Sequence, residues 1–156
     1  MFLNQNSFIL NRREMKKYKI GYTTGVFDMF HVGHLNILRR AKEQCDHLIV
    51  GVSTDENVLR YKSKKPVIPY KDRKAIIEAI KYVDEVVPQE DMDKIAAWRQ
   101  LHFDVLFHGD DWKGSVMYNE VEMKLKSVGC DIVFFPHTDG ISSSIFRGMV
   151  SDNNNY

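Results

Sequence analysis

From residue 17 onward the chain alternates short runs of β-branched and aromatic residues with segments whose apolar positions recur at helical spacing. Few folds accept that alternation. The apolar runs lie at 20–24, 48–52, 85–87, 105–107 and 132–135. Each has the length of a strand and little period-two alternation, the mark of strands covered on both faces. The segments 32–44, 72–83, 91–102, 115–128 and 142–150 read as helices. In the first, Leu35, Leu38 and Ala41 share one face while Asn36, Arg39, Arg40 and Glu43 turn away. Strands separated by helices imply right-handed crossovers and a mostly parallel sheet.

The 156-residue length suits one domain, expected over 17–150. Residues 1–16 are polar and Asn-rich apart from Phe8, Ile9 and Leu10, and are expected to be a poorly ordered extension; 151–156 read as a polar tail. With 22 basic and 21 acidic residues, a net charge of +1 gives no reason to expect nucleic acid or an anionic membrane as partner. No apolar run approaches the roughly 18 residues needed to span a bilayer. Cys45 and Cys130 form no CxxC and read as buried thiols of a reducing compartment. A cytoplasmic protein is the expectation.

In such a sheet the ligand sits beyond the carboxyl ends of the strands, where strand order reverses. The loops at 24–34, 53–73, 108–114 and 136–144 are therefore the ones to search. The first carries Gly25, Val26, Phe27 and Asp28, then His31, Gly33 and His34 at a helix start. Histidines three apart share a helix face, and the free N–H groups of a first turn attract anions. Gly33 between them permits close approach to the backbone. Phosphate chemistry fits this arrangement; a structural capping pair or two ligands of a zinc site are the alternatives.

The second loop holds seven basic residues and one acid between Arg60 and Lys74, including Lys62 and Lys64. Lysines on a flexible loop can close over a polyphosphate, although such clusters are also common as solvated faces. In the third, the adjacent carboxylates Asp110 and Asp111 can hold a metal, receive a nucleobase amine or cap the next helix. The fourth, with Gly140 followed by Ser142, Ser143 and Ser144, offers a second helix-terminus anion site. GxGxxG, GxxxxGK[ST] and GxSxG signatures are all missing, which argues against dehydrogenases, P-loop kinases and α/β-hydrolases.

These residues resemble a known family. Gly25 to Asp28 with His31 to His34 resembles the GxFDxxHxGH signature of the nucleotidyltransferase superfamily, and Asp139 to Ser143 its second signature, RTEGIST. The Gly109-Asp110-Asp111-Trp112 block and the run Lys81 to Val86 are similar to small bacterial glycerol-3-phosphate cytidylyltransferases. The fold class implied is α/β, a single Rossmann-like domain with a five-stranded mostly parallel sheet flanked by helices on both faces.

The resemblance implies Mg²⁺-dependent transfer of CMP from CTP to a small phosphorylated alcohol, most directly glycerol 3-phosphate, with release of pyrophosphate. It also implies a homodimer, with the Lys81 to Asp84 region as contact or support. His31 and His34 would stabilise the transition state on the CTP phosphates, with Lys62 gripping the acceptor phosphate beside them as a third catalytic group. Val26, Phe27, Gly33 and Lys64 would contact the nucleotide, with Asp110 near the nucleoside. His137, Thr138, Asp139, Gly140, Ile141, Ser142, Ser143 and Ser144 would wrap it, and Lys94 would add a contact to the acceptor phosphate. No protein ligand for the Mg²⁺ is assigned, the ion being held mainly by nucleotide phosphates. His137 stands where the signature has Arg, Asp139 where it has Glu, and Lys81 where Arg is usual. The alternative nucleotide is ATP with a sugar or polyol phosphate. Phosphocholine, phosphoethanolamine and ribitol phosphate are alternative acceptors.

Overall fold

The computed structural model describes residues 15–152, so the expected extension lies almost entirely outside the described residues. Five strands, β1 (Tyr18–Gly25), β2 (Cys45–Ser53), β3 (Glu85–Gln89), β4 (Val105–Gly109) and β5 (Asp131–Phe135), form one sheet in the order β3-β2-β1-β4-β5. Every pairing is parallel. Six helices accompany them among the described residues: α1 (Val32–Gln44), α2 (Asp55–Lys62), α3 (Tyr70–Glu78), α4 (Lys94–Leu101), α5 (Val116–Ser127) and α6 (Ser143–Asp152).

The apolar runs lack alternation because both faces of the sheet are buried. Leu48, Val50 and Val52 of β2 join Leu38 and Ala41 of α1 and Ile77 of α3 in one cluster. Ile49, between them, belongs to a second cluster with Tyr22, Leu106, Phe103 and Leu125, packed by Ile95 and Trp98 of α4. At about 25 cal/mol per Å² of apolar area, these two layers supply the main drive to fold. Strand order reverses between β1 and β4, and there the carboxyl-end loops diverge to leave a cleft.

Two local expectations change. Residues 53–73 are not one loop, because α2 occupies Asp55–Lys62. Thr54 caps it by accepting from the Asn57 N–H at 3.2 Å, and Ser63 ends it in the left-handed conformation. Only Asn57 and Val58 of this helix are buried, so it has no apolar period to read. The third helix starts earlier and ends sooner than 72–83, since Ile80 and Val83 lie in tight turns bonded to Ile77 and Ile80.

Candidate active site

A cavity of about 310 Å³ opens at the β1/β4 reversal. The N-terminal turns of α1 and α6 both line it, so two helix ends with free N–H groups and positive dipoles share one space.

His31 is the N-cap of α1. Its Nδ1 accepts the Gly33 N–H at 3.0 Å, while Nδ1 of His34 accepts the His31 N–H at 3.3 Å. The rings stack with centroids 3.8 Å apart. A neutral imidazole that accepts at Nδ1 carries its proton on Nε2, so each ring keeps a donor on its far side. Capping thus occupies one nitrogen of each ring and leaves the opposite one facing away as a donor. Burial lowers the His31 pKa and pushes His34 down to about 3, the neighbouring His31 adding to the effect. Gly33 has a more specific reason than ligand access. A Cβ there would lie 2.8 Å from Cε1 and 2.9 Å from Nδ1 of His31.

The loop before α1 is held from three sides. Phe27 and Met29 both adopt left-handed backbone, at φ 54° and 47°. Such residues cost about 1 kcal/mol or more each, so surrounding contacts must hold them. Asp28, 2% exposed, accepts the N–H groups of Val67 and Ile68 at 2.8 and 2.9 Å and pairs with Arg147. Its backbone carbonyl accepts from the Ser143 hydroxyl at 2.6 Å. Burial pushes the Asp28 carboxyl upward, but these donors outweigh it and the carboxyl titrates below its ordinary value. Arg73, 1% exposed, donates to the carbonyls of Ile68, Val26 and Ser53 and to Asp55 at 2.6–2.8 Å.

Most of the residues expected at the site line this cavity: Val26, Phe27, His31, Gly33, His34, Lys62, Lys64, His137, Thr138, Ile141, Ser142, Ser143 and Ser144. Ser142 also caps α6, accepting from Ile145, so two of the three hydroxyls have structural partners. Asp110, Asp139 and Gly140 are exposed outside the lining; Asp110 instead lies 4.0 Å from the His137 imidazole. The basic cluster disperses. Arg73 is interior, Lys74 pairs with Glu78, Arg60 donates to the Glu90 carbonyl, and Lys62, Lys64 and Lys65 face the cavity. The Lys62 pKa is lowered by burial and by Arg147 and Lys64 nearby, a mutual repulsion that an anion would relieve.

Lys94 sits elsewhere, in a smaller cavity of about 100 Å³ with Tyr22, Gln89 and Asp91. It is 3% exposed, and among the described residues its Nζ has no hydrogen-bond partner. Burial pushes it down to about 8 against the pull of Asp91 and Asp93. The Lys94 charge is nonetheless felt at His108, which lines the large one. Sequence reasoning missed Arg147. It follows Ser144 by three positions on α6, one helical turn further on, and that spacing was the available signal.

Residues 22–149 match the family model described as cytidylyltransferase-like. The chain belongs to the cytidylyltransferase-like family. It is 43% identical over 131 residues to a glycerol-3-phosphate cytidylyltransferase of Bacillus spizizenii, covering 83% of this chain and 95% of that one. A glycerol-3-phosphate cytidylyltransferase of Staphylococcus aureus is 37% identical over 78% of this chain and 87% of its own. An FAD synthase of Archaeoglobus fulgidus is also 37% identical, over 70% of this chain and 79% of its own. Among solved structures, a lipopolysaccharide core biosynthesis protein of Thermoplasma volcanium superposes with a TM-score of 0.64 at 26% identity, covering 78% of this chain and 97% of that one. The chain is thus a nucleotidyltransferase-type enzyme with the expected fold. No helix among the described residues is long and apolar enough to cross a membrane.

Proposed function

We propose that the protein transfers CMP from CTP to glycerol 3-phosphate, forming CDP-glycerol and pyrophosphate. The observation that carries this reading is the convergence of the α1 and α6 N-termini with Lys62, Lys64 and Arg147 on one cavity. The likeness to glycerol-3-phosphate cytidylyltransferases over 95% of a relative's length supports the choice of substrates.

A phosphate monoester oxygen is already ionised at neutral pH, so attack on the α-phosphorus needs no strong base. A new P–O bond forms as the bond to pyrophosphate breaks, and the protein's task is alignment and neutralisation of charge. The Nε2–H groups of His31 and His34 donate to the phosphates as charge grows on them. Lys62 and Lys64 hold the acceptor phosphate and the triphosphate respectively. Lys94, a buried ammonium with no hydrogen-bond partner among the described residues, adds a further cation for the acceptor's phosphate. Backbone and side chains of 137–144 close over the nucleotide.

Mg²⁺ fits this site as an ion carried by the nucleotide. Asp28, the buried carboxylate of the cavity, is already saturated by two N–H groups and a guanidinium, which leaves the phosphates to hold it. When bound, Mg²⁺ supplies charge neutralisation on the triphosphate. A cytoplasmic homodimer completes the reading. Asp84, in the segment assigned to contact or support, accepts the Leu48 N–H at 2.7 Å and pairs with Lys42, a bracing role inside the protomer.

The test is pyrophosphate release with Mg²⁺, offering CTP or ATP with glycerol 3-phosphate. Rapid release with CTP and little with ATP is expected, and Lys62→Ala is expected to raise the acceptor KM. Release with ATP alone, or with neither nucleotide, overturns the assignment.

A further inference from the structure

Asp110 and Asp111 lie on the 3₁₀ turn after β4, and His137 lies in the loop after β5. Because β4 and β5 pair up to Gly109 and Phe135, the two loops leave the sheet side by side. Nε2 of His137 is bonded to Asp111 and lies 4.0 Å from Oδ1 of Asp110. One ligating atom from each of the three residues falls within 4.8 Å of the others. Among the described residues this is the group of three His, Cys, Asp or Glu side chains that converges so closely.

Charge makes the cluster unusual. Two carboxylates stand on adjacent residues, and among the described residues the ion-pair partner of both is His137. Where the family signature has an Arg, a permanent cation with donors only, this chain offers an imidazole with a ring-nitrogen lone pair. The exchange removes a fixed positive charge and supplies a metal ligand in its place. Asp111 and His137 also line the large cavity, so the trio stands at its rim.

We propose that Asp110, Asp111 and His137 form a binding site for one divalent transition-metal ion of the Zn²⁺ or Co²⁺ type. One nitrogen and two carboxylate oxygens suit these ions, whereas Mg²⁺ takes oxygen and water. Ligands held by one ion at about 2.1 Å are at most about 4.2 Å apart. Rotation of the three exposed side chains brings the wider spacings to that value and opens the His137–Asp111 contact, the ion taking the place of the proton those two groups share. The bound ion joins the two loops that frame the cavity and replaces the missing guanidinium charge. Three protein ligands leave coordination positions open toward water or an incoming anion. This site is a property of the nucleotide-free chain, and it shares His137 with the segment proposed above to close over the nucleotide.

The experiment is calorimetric titration of the chelator-stripped full chain with Zn²⁺ in the absence of nucleotide, paired with visible absorption of the Co²⁺ form. One equivalent is expected to bind with micromolar affinity and to withstand millimolar Mg²⁺. Asp111→Asn and His137→Ala each weaken it at least tenfold, and His137→Arg abolishes it. The three side chains are exposed, so the variants should keep their circular dichroism and melting temperature, which are recorded alongside. No saturable equivalent in the wild type, unchanged affinity in His137→Ala, or displacement by equimolar Mg²⁺ would each overturn the site.

Discussion

Asp28 and Arg147 lie 119 positions apart and form an ion pair that ties the loop before α1 to the last helix. The carboxylate also holds the N–H groups of Val67 and Ile68, so three separated segments meet on one side chain. Arg147 and Lys62 line the same cavity, which makes this pair the joint between the histidine loop, the lysine loop and α6.

Removing that joint costs stability. Asp28→Ala strands two N–H groups and a guanidinium and should destabilise by about 3–5 kcal/mol. A melting temperature within a degree of wild type would refute it. Because the folded carboxyl titrates below its ordinary value, its contribution is complete above the unfolded pKa and fades as pH falls through the folded one. Acid unfolding of Asp28→Asn should therefore show a weaker pH dependence below about pH 4.

Buried His34 remains neutral in the nucleotide-free protein until about pH 3. The unfolded chain takes up this proton near pH 6.5, so stability falls with decreasing pH from about 6.5 to 3. Its imidazole carbon resonances should not titrate between pH 7 and 5, and a midpoint near 6 would disprove the burial argument. His34→Ala should lower kcat by about a hundred- to a thousandfold, the loss of one transition-state donor.

Lys94 separates function from stability. Lys94→Met removes a buried ammonium that has no hydrogen-bond partner among the described residues, so the melting temperature should hold or rise. The acceptor KM should rise by at least tenfold while the CTP KM stays within about twofold. In the wild type, acceptor KM should climb above about pH 8 as the cation is lost. Equal effects on both KM values would remove Lys94 from the acceptor's site.

Gly33 and Gly148 are both helical but should respond oppositely to alanine. At Gly33 the new Cβ meets the His31 ring, so the N-cap and its Nε2 donor shift; a loss of about 1–3 kcal/mol and most turnover is expected. At Gly148 a Cβ would meet no atom of the described residues within 4 Å beyond its chain neighbours and its own helix backbone, and alanine should stabilise α6 by about 0.5–1 kcal/mol. Thermal melts of the two variants decide it, and shifts of the same sign would contradict the packing argument.

The strands, the two-sided sheet and the histidine loop were legible because each is encoded within a short window. An apolar run with no alternation means burial on both faces wherever it lies. Histidines three apart at a helix start must share a face. The short helix Asp55–Lys62 escaped because it buries two positions, too few to set a period. Arg73 read as one more charge of a basic face, yet it is interior, since four acceptors from Val26, Ser53, Asp55 and Ile68 surround its guanidinium. No local pattern distinguishes that arginine from Arg60, which donates on the surface.

Chain order alone therefore sufficed for the elements, their parallel stacking and the edge of the sheet where chemistry belongs. Which loops meet at that edge was settled by the strand order β3-β2-β1-β4-β5, which sets β1 beside β4. That arrangement placed Arg147 against Asp28 and His137 against Asp111, and gave Lys94 a cavity separate from that of the two histidines. Partners chosen across a hundred residues depend on where the whole sheet delivers each loop, and hydrophobic periodicity carries no information about that.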